Sequence, residues 1–270
     1  SRDTKSRTLL REHPRKWRDF EYVYPVISRR SHGLSIGINL SLSKACNFNC
    51  AYCQVQRGGT PDDARFVDLE IMKAELDALL DLVLAPHFWE TGDFAGVDPS
   101  YRRLDNIAFS GDGEPTLCRW FEQAVAIAGA AKLQRHLDAV KLVLITNASM
   151  LRDPGVQRGM EMLDRCQGEV WAKLDAGSEA AYRAINRGSV PFARILENLL
   201  DAGRRRPLVI QSMFLRRHGN PPVADEIGAY LACLARLRAD GCRLRAVHVY
   251  TVARHPADRK STRLNSSHRT

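Results

Sequence analysis

Cys46, Cys50 and Cys53 stand within eight residues, in the stretch KACNFNCAYC. Three is an odd number for a disulfide framework and one short of the four protein ligands that close a structural zinc site. Thiolates are soft donors suited to iron–sulfur and zinc centres. Three of them on one short loop can hold three irons of a 4Fe-4S cluster and leave the fourth iron open to another ligand. Structural zinc would need a fourth ligand, and no second Cys-x-x-Cys or nearby His pair supplies it. A redox pair of Cys50 and Cys53 would leave Cys46 without a role.

Further candidates fall where loops interrupt apolar runs. SGDGEP places Gly111, Asp112, Gly113 and Glu114 in a turn whose glycines let backbone approach a ligand; an ordinary Asp-Gly turn with a solvated Glu is the plain alternative. Asn147 follows an apolar strand, where it could contact a ligand or cap a helix. Lys173 and Asp175 are one residue apart, so strand alternation sends both side chains the same way; a structural ion pair competes with a ligand role. Gln211 interrupts an otherwise apolar strand. Cys118, Cys166, Cys233 and Cys242 share no compact spacing and read as small buried hydrophobes. The scattered histidines carry no assignment. Arg204 to Arg206 and Arg216-Arg217 read as solvated charge rather than an RNA site.

The elements that must position these residues follow from periodicity. Tyr22–Ile27 reads as a short strand with Pro25 inside it, and Leu34–Leu42 as a second strand running into the cysteine loop. Leu69, Met72, Leu76, Leu79, Leu80 and Val83 share one helical face behind Asp68 as N-cap. Residues 85–103 read as a loop. Strands are then expected at Leu104–Phe109, Val140–Thr146, Val170–Leu174, Leu208–Leu215 and Leu244–Val252, with helices between them. Six strand–helix units from Ile36 onward imply a parallel α/β sheet. No Gly-x-Gly-x-x-Gly opens the first unit, and no repeat is evident. Polar groups at the strand ends point to a barrel-like sheet with its site at the C-terminal ends of the strands. That rule groups the cysteine loop, Gly111–Pro115, Thr146–Asn147, Lys173–Asp175, Gln211 and Tyr250–Arg254.

CNFNCAYC, with Tyr52 just before the last cysteine, resembles the signature of the radical S-adenosylmethionine (SAM) superfamily, and SGDGEP resembles that family's Gly-Gly-Glu-Pro segment with Asp112 among the glycines. IGINLSLSKACNFNCAYCQV, FSGDGEPTL, ITNAS, WAKLDAGS and VYTVAR are similar to the bacterial group related to the tRNA wyosine synthase. The resemblance covers about Leu34 to Arg254. It implies a partial (β/α)6 TIM-like barrel, truncated at its C-terminus, with a 4Fe-4S cluster on Cys46, Cys50 and Cys53. It implies SAM bound by Tyr52, Gly111, Asp112, Gly113, Glu114, Asn147, Lys173, Asp175 and Gln211. It further implies reductive cleavage of SAM, an electron donor such as flavodoxin or ferredoxin, and a substrate that includes tRNA among its candidates. A peptide-modifying or glycyl-radical-activating enzyme is the alternative, and a non-catalytic iron–sulfur or zinc protein binding RNA or a partner is the rival outside enzymes. Archaeal wyosine synthases carry a second cluster on N-terminal cysteines; no cysteine precedes Cys46 here.

The bulk numbers are those of a globular domain: 270 residues, 44% hydrophobic and 26% charged. No apolar run reaches the roughly 18 residues of a membrane span, and no signal-peptide core opens the chain, so no membrane is expected and the cytoplasm is the expected compartment. The formal net charge is +9, and residues 1–31 hold nine basic against four acidic residues; such an arm favours polyanions or is simply solvated. We divide the chain into a basic extension with a short β segment (1–33), a core domain (34–257) and a tail (258–270). The tail, DRKSTRLNSSH onward, resembles the translation of a sequencing adapter and is expected not to be native. The start at Ser1 fits a truncated or processed frame.

Overall fold

The computed structural model describes residues 17–28, 32–57, 66–217 and 219–251. Most of the basic arm, the adapter-like tail and the stretch to Arg254 lie outside the described residues.

Two strands open the fold, β1 (Val23–Ser28) and β2 (Gly33–Ile38), paired antiparallel from Val23 opposite Ile38 to Ser28 opposite Gly33. Helix α1 (Leu69–Leu84) follows, capped as expected by Asp68, whose side chain accepts from the Glu70 and Ile71 amides. The expected loop over 85–103 contains three short 3-10 turns that bury Phe88 and Phe94 as a stacked pair, with centroids 4.9 Å apart. The remainder alternates: β3 (Leu104–Phe109), α2 (Phe121–Gln134), β4 (Lys141–Thr146), α3 (Pro154–Arg165), β5 (Glu169–Lys173), α4 (Glu179–Ile185), α5 (Phe192–Arg205), β6 (Leu208–Met213), α6 (Ala224–Ala239) and β7 (Leu244–Tyr250).

All seven strands form one sheet in chain order, β1 to β7, and β2 through β7 are parallel. A parallel crossover is right-handed in nearly all proteins. A strand order that only advances therefore winds every crossover onto one face, whereas a doubly wound sheet must reverse direction at a switch point. This is the winding of a barrel. The pairing series is open, and among the described residues none joins β1 to β7.

Strand alternation divides the apolar residues accordingly. Ile36, Ile38, Ile107, Phe109, Leu142, Leu144, Val170, Ala172, Leu208 and Ile210 join the helices in one large core. Ala108, Val143, Trp171 and Val209 form a separate small cluster on the opposite face, which no helix among the described residues covers. That face carries the polar residues 173 and 211, in register as neighbours across β5 and β6.

Candidate metal centre

The second strand ends at Ile38, short of the expected Leu42. Asn39 ends it: its Oδ1 accepts from the Ser41 amide at 3.0 Å and from the Asp112 amide at 3.2 Å, and its Nδ2 donates to Asp112 Oδ2 at 2.8 Å. This side-chain turn competes with ladder pairing and redirects the chain into the cysteine loop. Lys44 takes a left-handed φ of 63° within it. The loop is pinned from below by backbone bonds to the segment after α4, from Asn49 and Ala51 amides to the Asn186 and Ile185 carbonyls, and from the Ser189 amide to the Asn47 carbonyl.

The three thiols of this loop are free, as are all the other cysteines. Burial pushes the Cys46 thiol up, and pushes the buried Cys50 thiol up to about 12, with the Asp175 charge adding to the effect. Each sulfur has its own N–H donors. Cys46 Sγ accepts from the Phe48 amide at 3.4 Å and from Asn147 Nδ2 at 3.8 Å. Cys50 Sγ accepts from Asn186 Nδ2 at 3.7 Å, and Cys53 Sγ from Arg57 Nη2 at 3.0 Å. Among the described residues no three His, Cys, Asp or Glu side chains converge on a point suited to a single ion. A polynuclear cluster does not require that convergence, because each cysteine binds a different iron.

Gly111 to Glu114 lie against the start of the loop. A Cβ on Gly113 would sit 1.9 Å from the Ala45 carbonyl oxygen, so only glycine permits this approach. The Glu114 side chain points inward rather than to solvent and is 3% exposed. Its Oε1 accepts from the Thr116 and Thr146 hydroxyls, both at 2.6 Å, and from the Thr116 amide; its Oε2 accepts from the Asn147 amide at 2.7 Å. Burial raises its carboxyl above the usual range against the pull of these donors. Glu114 thus ties the end of β3 to the end of β4. The Asp112 carbonyl accepts a very short bond from the Arg57 guanidinium.

Tyr52 reaches the end of β5. Its hydroxyl donates to Asp175 Oδ2, which also accepts from Asn186 Nδ2 at 2.6 Å, while Asp175 Oδ1 accepts from the Met213 amide at 2.8 Å. Burial first, and the Asp175 charge next, lift the Tyr52 hydroxyl well above its ordinary range. Lys173 Nζ lies 3.3 Å from that hydroxyl and 5.1 Å above the ring centroid. Gln211, 1% exposed, has an Nε2 with no hydrogen-bond partner among the described residues.

The structure therefore brings Tyr52, Gly111, Asp112, Gly113, Glu114, Asn147, Lys173 and Asp175 around the cysteine loop at the C-terminal ends of β2 to β5, with Gln211 in the next strand beside Lys173. Lys173 and Asp175 do not pair with each other: Lys173 lies against Tyr52, and Asp175 is taken up by Tyr52, Asn186 and Met213. Arg57, Asn186 and Asn47 also belong to the site, and sequence reasoning missed them. Asn186 is separated from Cys50 by 136 positions, so no spacing signal connects them. Arg57 lies four residues past Cys53, a helical spacing that could have drawn notice had the loop been helical. Cys118 and Cys242 are buried elsewhere in the core, as expected for small hydrophobes, whereas Cys166 and Cys233 are only half-buried against it.

No family model matches the chain. It is 24% identical over 179 residues to a UPF0026 protein of Helicobacter pylori, covering 66% of this chain and 48% of that protein. It is 28% identical over 183 residues to a UPF0026 protein of Methanocaldococcus jannaschii, covering 65% and 47% respectively. The solved structure of archaeal TYW1 matches with a TM-score of 0.40 at 13% identity, over 77% of this chain and 62% of that one. The chain is thus similar in sequence to UPF0026 proteins of a bacterium and an archaeon, and spans about half the length of these curated relatives.

Proposed function

We propose that the chain is a radical SAM enzyme in which Cys46, Cys50 and Cys53 hold a 4Fe-4S cluster with SAM bound beside it. The observation that carries this reading is the placement of three free thiols on one pinned loop at the C-terminal ends of a singly wound parallel sheet, each sulfur facing N–H donors. When bound, the cluster supplies the electron that cleaves SAM to methionine and a 5′-deoxyadenosyl radical able to take hydrogen from a substrate.

The chain's own residues supply position and dryness. Glu114 clamps the ends of β3 and β4 behind the loop, and Asp175 clamps Tyr52, Asn186 and the end of β6. Buried Cys50 and Asn186 keep water from the inner side of the loop. Gln211 offers a buried donor with no acceptor among the described residues, which supports a ligand on the face opposite the helices. Lys173 provides a half-buried cation beside it, suited to a carboxylate such as that of SAM.

Anaerobic reconstitution is expected to load about four irons and four sulfides per chain, and reduction with SAM to release 5′-deoxyadenosine and methionine. A folded, cluster-loaded protein that leaves SAM intact with every substrate class below overturns the reading. Alanine at Cys46, Cys50 or Cys53 abolishes cleavage; a triple variant that still cleaves removes the ligand assignment.

For the substrate we propose a tRNA base, supported by the net charge of +6 that remains when the tail's Arg259, Lys260, Arg263, Arg269 and Asp258 (net +3) are taken from the total of +9. Binding of tRNA is then expected to weaken steeply with salt; absent or salt-independent binding leaves a peptide or protein group, such as the glycine Cα that an activase of a glycyl-radical enzyme attacks, or a small metabolite as the substrate class. A cytoplasmic location and a flavodoxin- or ferredoxin-like electron donor belong to the same proposal.

A further inference from the structure

Three side chains from three separate parts of the chain each donate to a different sulfur: Asn147, just past β4, to Cys46; Asn186, just past α4, to Cys50; and Arg57, in the cysteine loop itself, to Cys53. None is placed by chance of a flexible rotamer. Asn147 is 5% exposed, with its Oδ1 accepting from the Ser149 amide at 3.0 Å and its Nδ2 also donating to Asn47 Oδ1 at 2.8 Å. Asn186 is 2% exposed, and its Nδ2 is shared with Asp175 Oδ2 at 2.6 Å. Arg57 Nη1 bonds the carbonyls of Lys44 and Asp112, which fixes the guanidinium over Cys53.

Resting on the cluster reading above, we propose that Asn147, Asn186 and Arg57 are positioning residues that tune the reduction potential of the centre through the three cysteine sulfurs. A donor directed at a thiolate stabilises negative charge there. The reduced centre carries one more negative charge than the oxidised one, so each donor favours reduction and raises the potential. In a buried, low-dielectric site such bonds are stronger than in water. Arg57 brings a full positive charge at the shortest distance, so its contribution is the largest of the three.

The experiment is an anaerobic redox titration of the reconstituted full chain, followed by electron paramagnetic resonance, with iron content measured in parallel. The variants are Arg57→Met, Arg57→Lys and Asn186→Leu. At the potential that half-reduces the unaltered protein, Arg57→Met is expected to lower the reduced-to-oxidised ratio about tenfold, equivalent to about 59 mV for a one-electron couple. Arg57→Lys restores part of that ratio, and Asn186→Leu lowers it by less than Arg57→Met. Potentials unchanged in iron-loaded variants overturn the inference, as does a folded variant that holds no iron, since a tuning donor changes potential and not occupancy. Should the variants fail to fold, resonance Raman spectra of the unaltered protein decide: iron–thiolate stretching bands that shift between H2O and D2O support the donors, and bands that do not shift refute them. Failure of the unaltered chain to load iron at all would instead remove the cluster reading.

Discussion

The Tyr52 hydroxyl donates a 2.5 Å hydrogen bond to Asp175 Oδ2 across 123 positions of sequence. That bond ties the cysteine loop after β2 to the end of β5. Asp175 adds Asn186 and the Met213 amide, so one carboxylate fixes the loop, the exit of α4 and the end of β6. Replacing Tyr52 by Phe is expected to cost about 1–2 kcal/mol by leaving a buried carboxylate short of a donor. Asp175→Asn, which swaps one acceptor for a donor facing other donors, is expected to cost more, about 2–3 kcal/mol. Denaturant midpoints of the apo protein measure both, and an unchanged midpoint for Asp175→Asn removes the hub.

Glu114 offers four acceptor contacts to the β3 and β4 ends. Glu114→Gln leaves one oxygen and places an amide group against either the Asn147 amide or the Thr146 and Thr116 donors. A loss of about 1–3 kcal/mol follows from the unsatisfied buried groups. Glu114→Ala removes the acceptor of the Asn147 amide outright, so in that variant hydrogen exchange at that position is expected to quicken; protection equal to the unaltered protein would count against the clamp.

Native apo protein treated with iodoacetamide at pH 8 is expected to modify Cys50 far more slowly than the unfolded chain does. Its sulfur is buried, and its thiol, pushed up to about 12, supplies almost no thiolate at that pH. Mass mapping reads the rates. Cys50 labelling as fast in the native as in the unfolded protein would place the sulfur in solvent.

Glu169, at the start of β5, accepts from Lys141 at 2.7 Å, Arg245 at 2.8 Å and Trp171 Nε1 at 2.9 Å. Burial pushes its carboxyl up, but Lys141, Trp171 and Arg245 together hold it below the ordinary value of 4.5. A depressed folded-state value stabilises the fold above the unfolded value and loses that stabilisation as the pH falls through the folded one. Glu169→Gln is therefore expected to cost about 1 kcal/mol at pH 7, a modest figure because Lys141 and Arg245 are half-exposed. The difference from the unaltered protein should close as the pH falls below 4.5. Unfolding midpoints from pH 7 down to pH 3 test this, and a gap constant with pH would refute it.

The strands were legible because each is an apolar run bounded by Gly, Pro or polar turns, and Asp68 was legible because a cap precedes a clean helical stripe. The extension of β2 to Leu42 was misread because Asn39 acts through a side-chain turn, not through hydropathy. Glu75 was missed for a related reason. It occupies a core position of α1 between Met72 and Leu76, where its carboxylate accepts from the Glu21, Tyr22 and Val23 amides. Those amides open β1, more than fifty positions away, and only the fold shows that they need a partner. The cysteines declared themselves by spacing. Asn186 and the donor role of Asn147 did not, since their partners are distant in sequence and adjacent only once the sheet is wound.

The advancing order of that sheet has a consequence for synthesis. As a chain leaves the ribosome N-terminus first, each parallel strand from β3 onward finds its partner already made, one crossover earlier. No strand must wait for a later one to fill a gap beside it, as happens at the switch point of a doubly wound sheet. The cysteine loop, emerging directly after β2, is nevertheless completed late: Asn147, Asp175 and Asn186 reach it only after β4, β5 and α4 have been added. The nascent protein thus carries three open thiols while β3, β4, β5 and α4 are made, and closes the shell around them only once Asn186 has emerged.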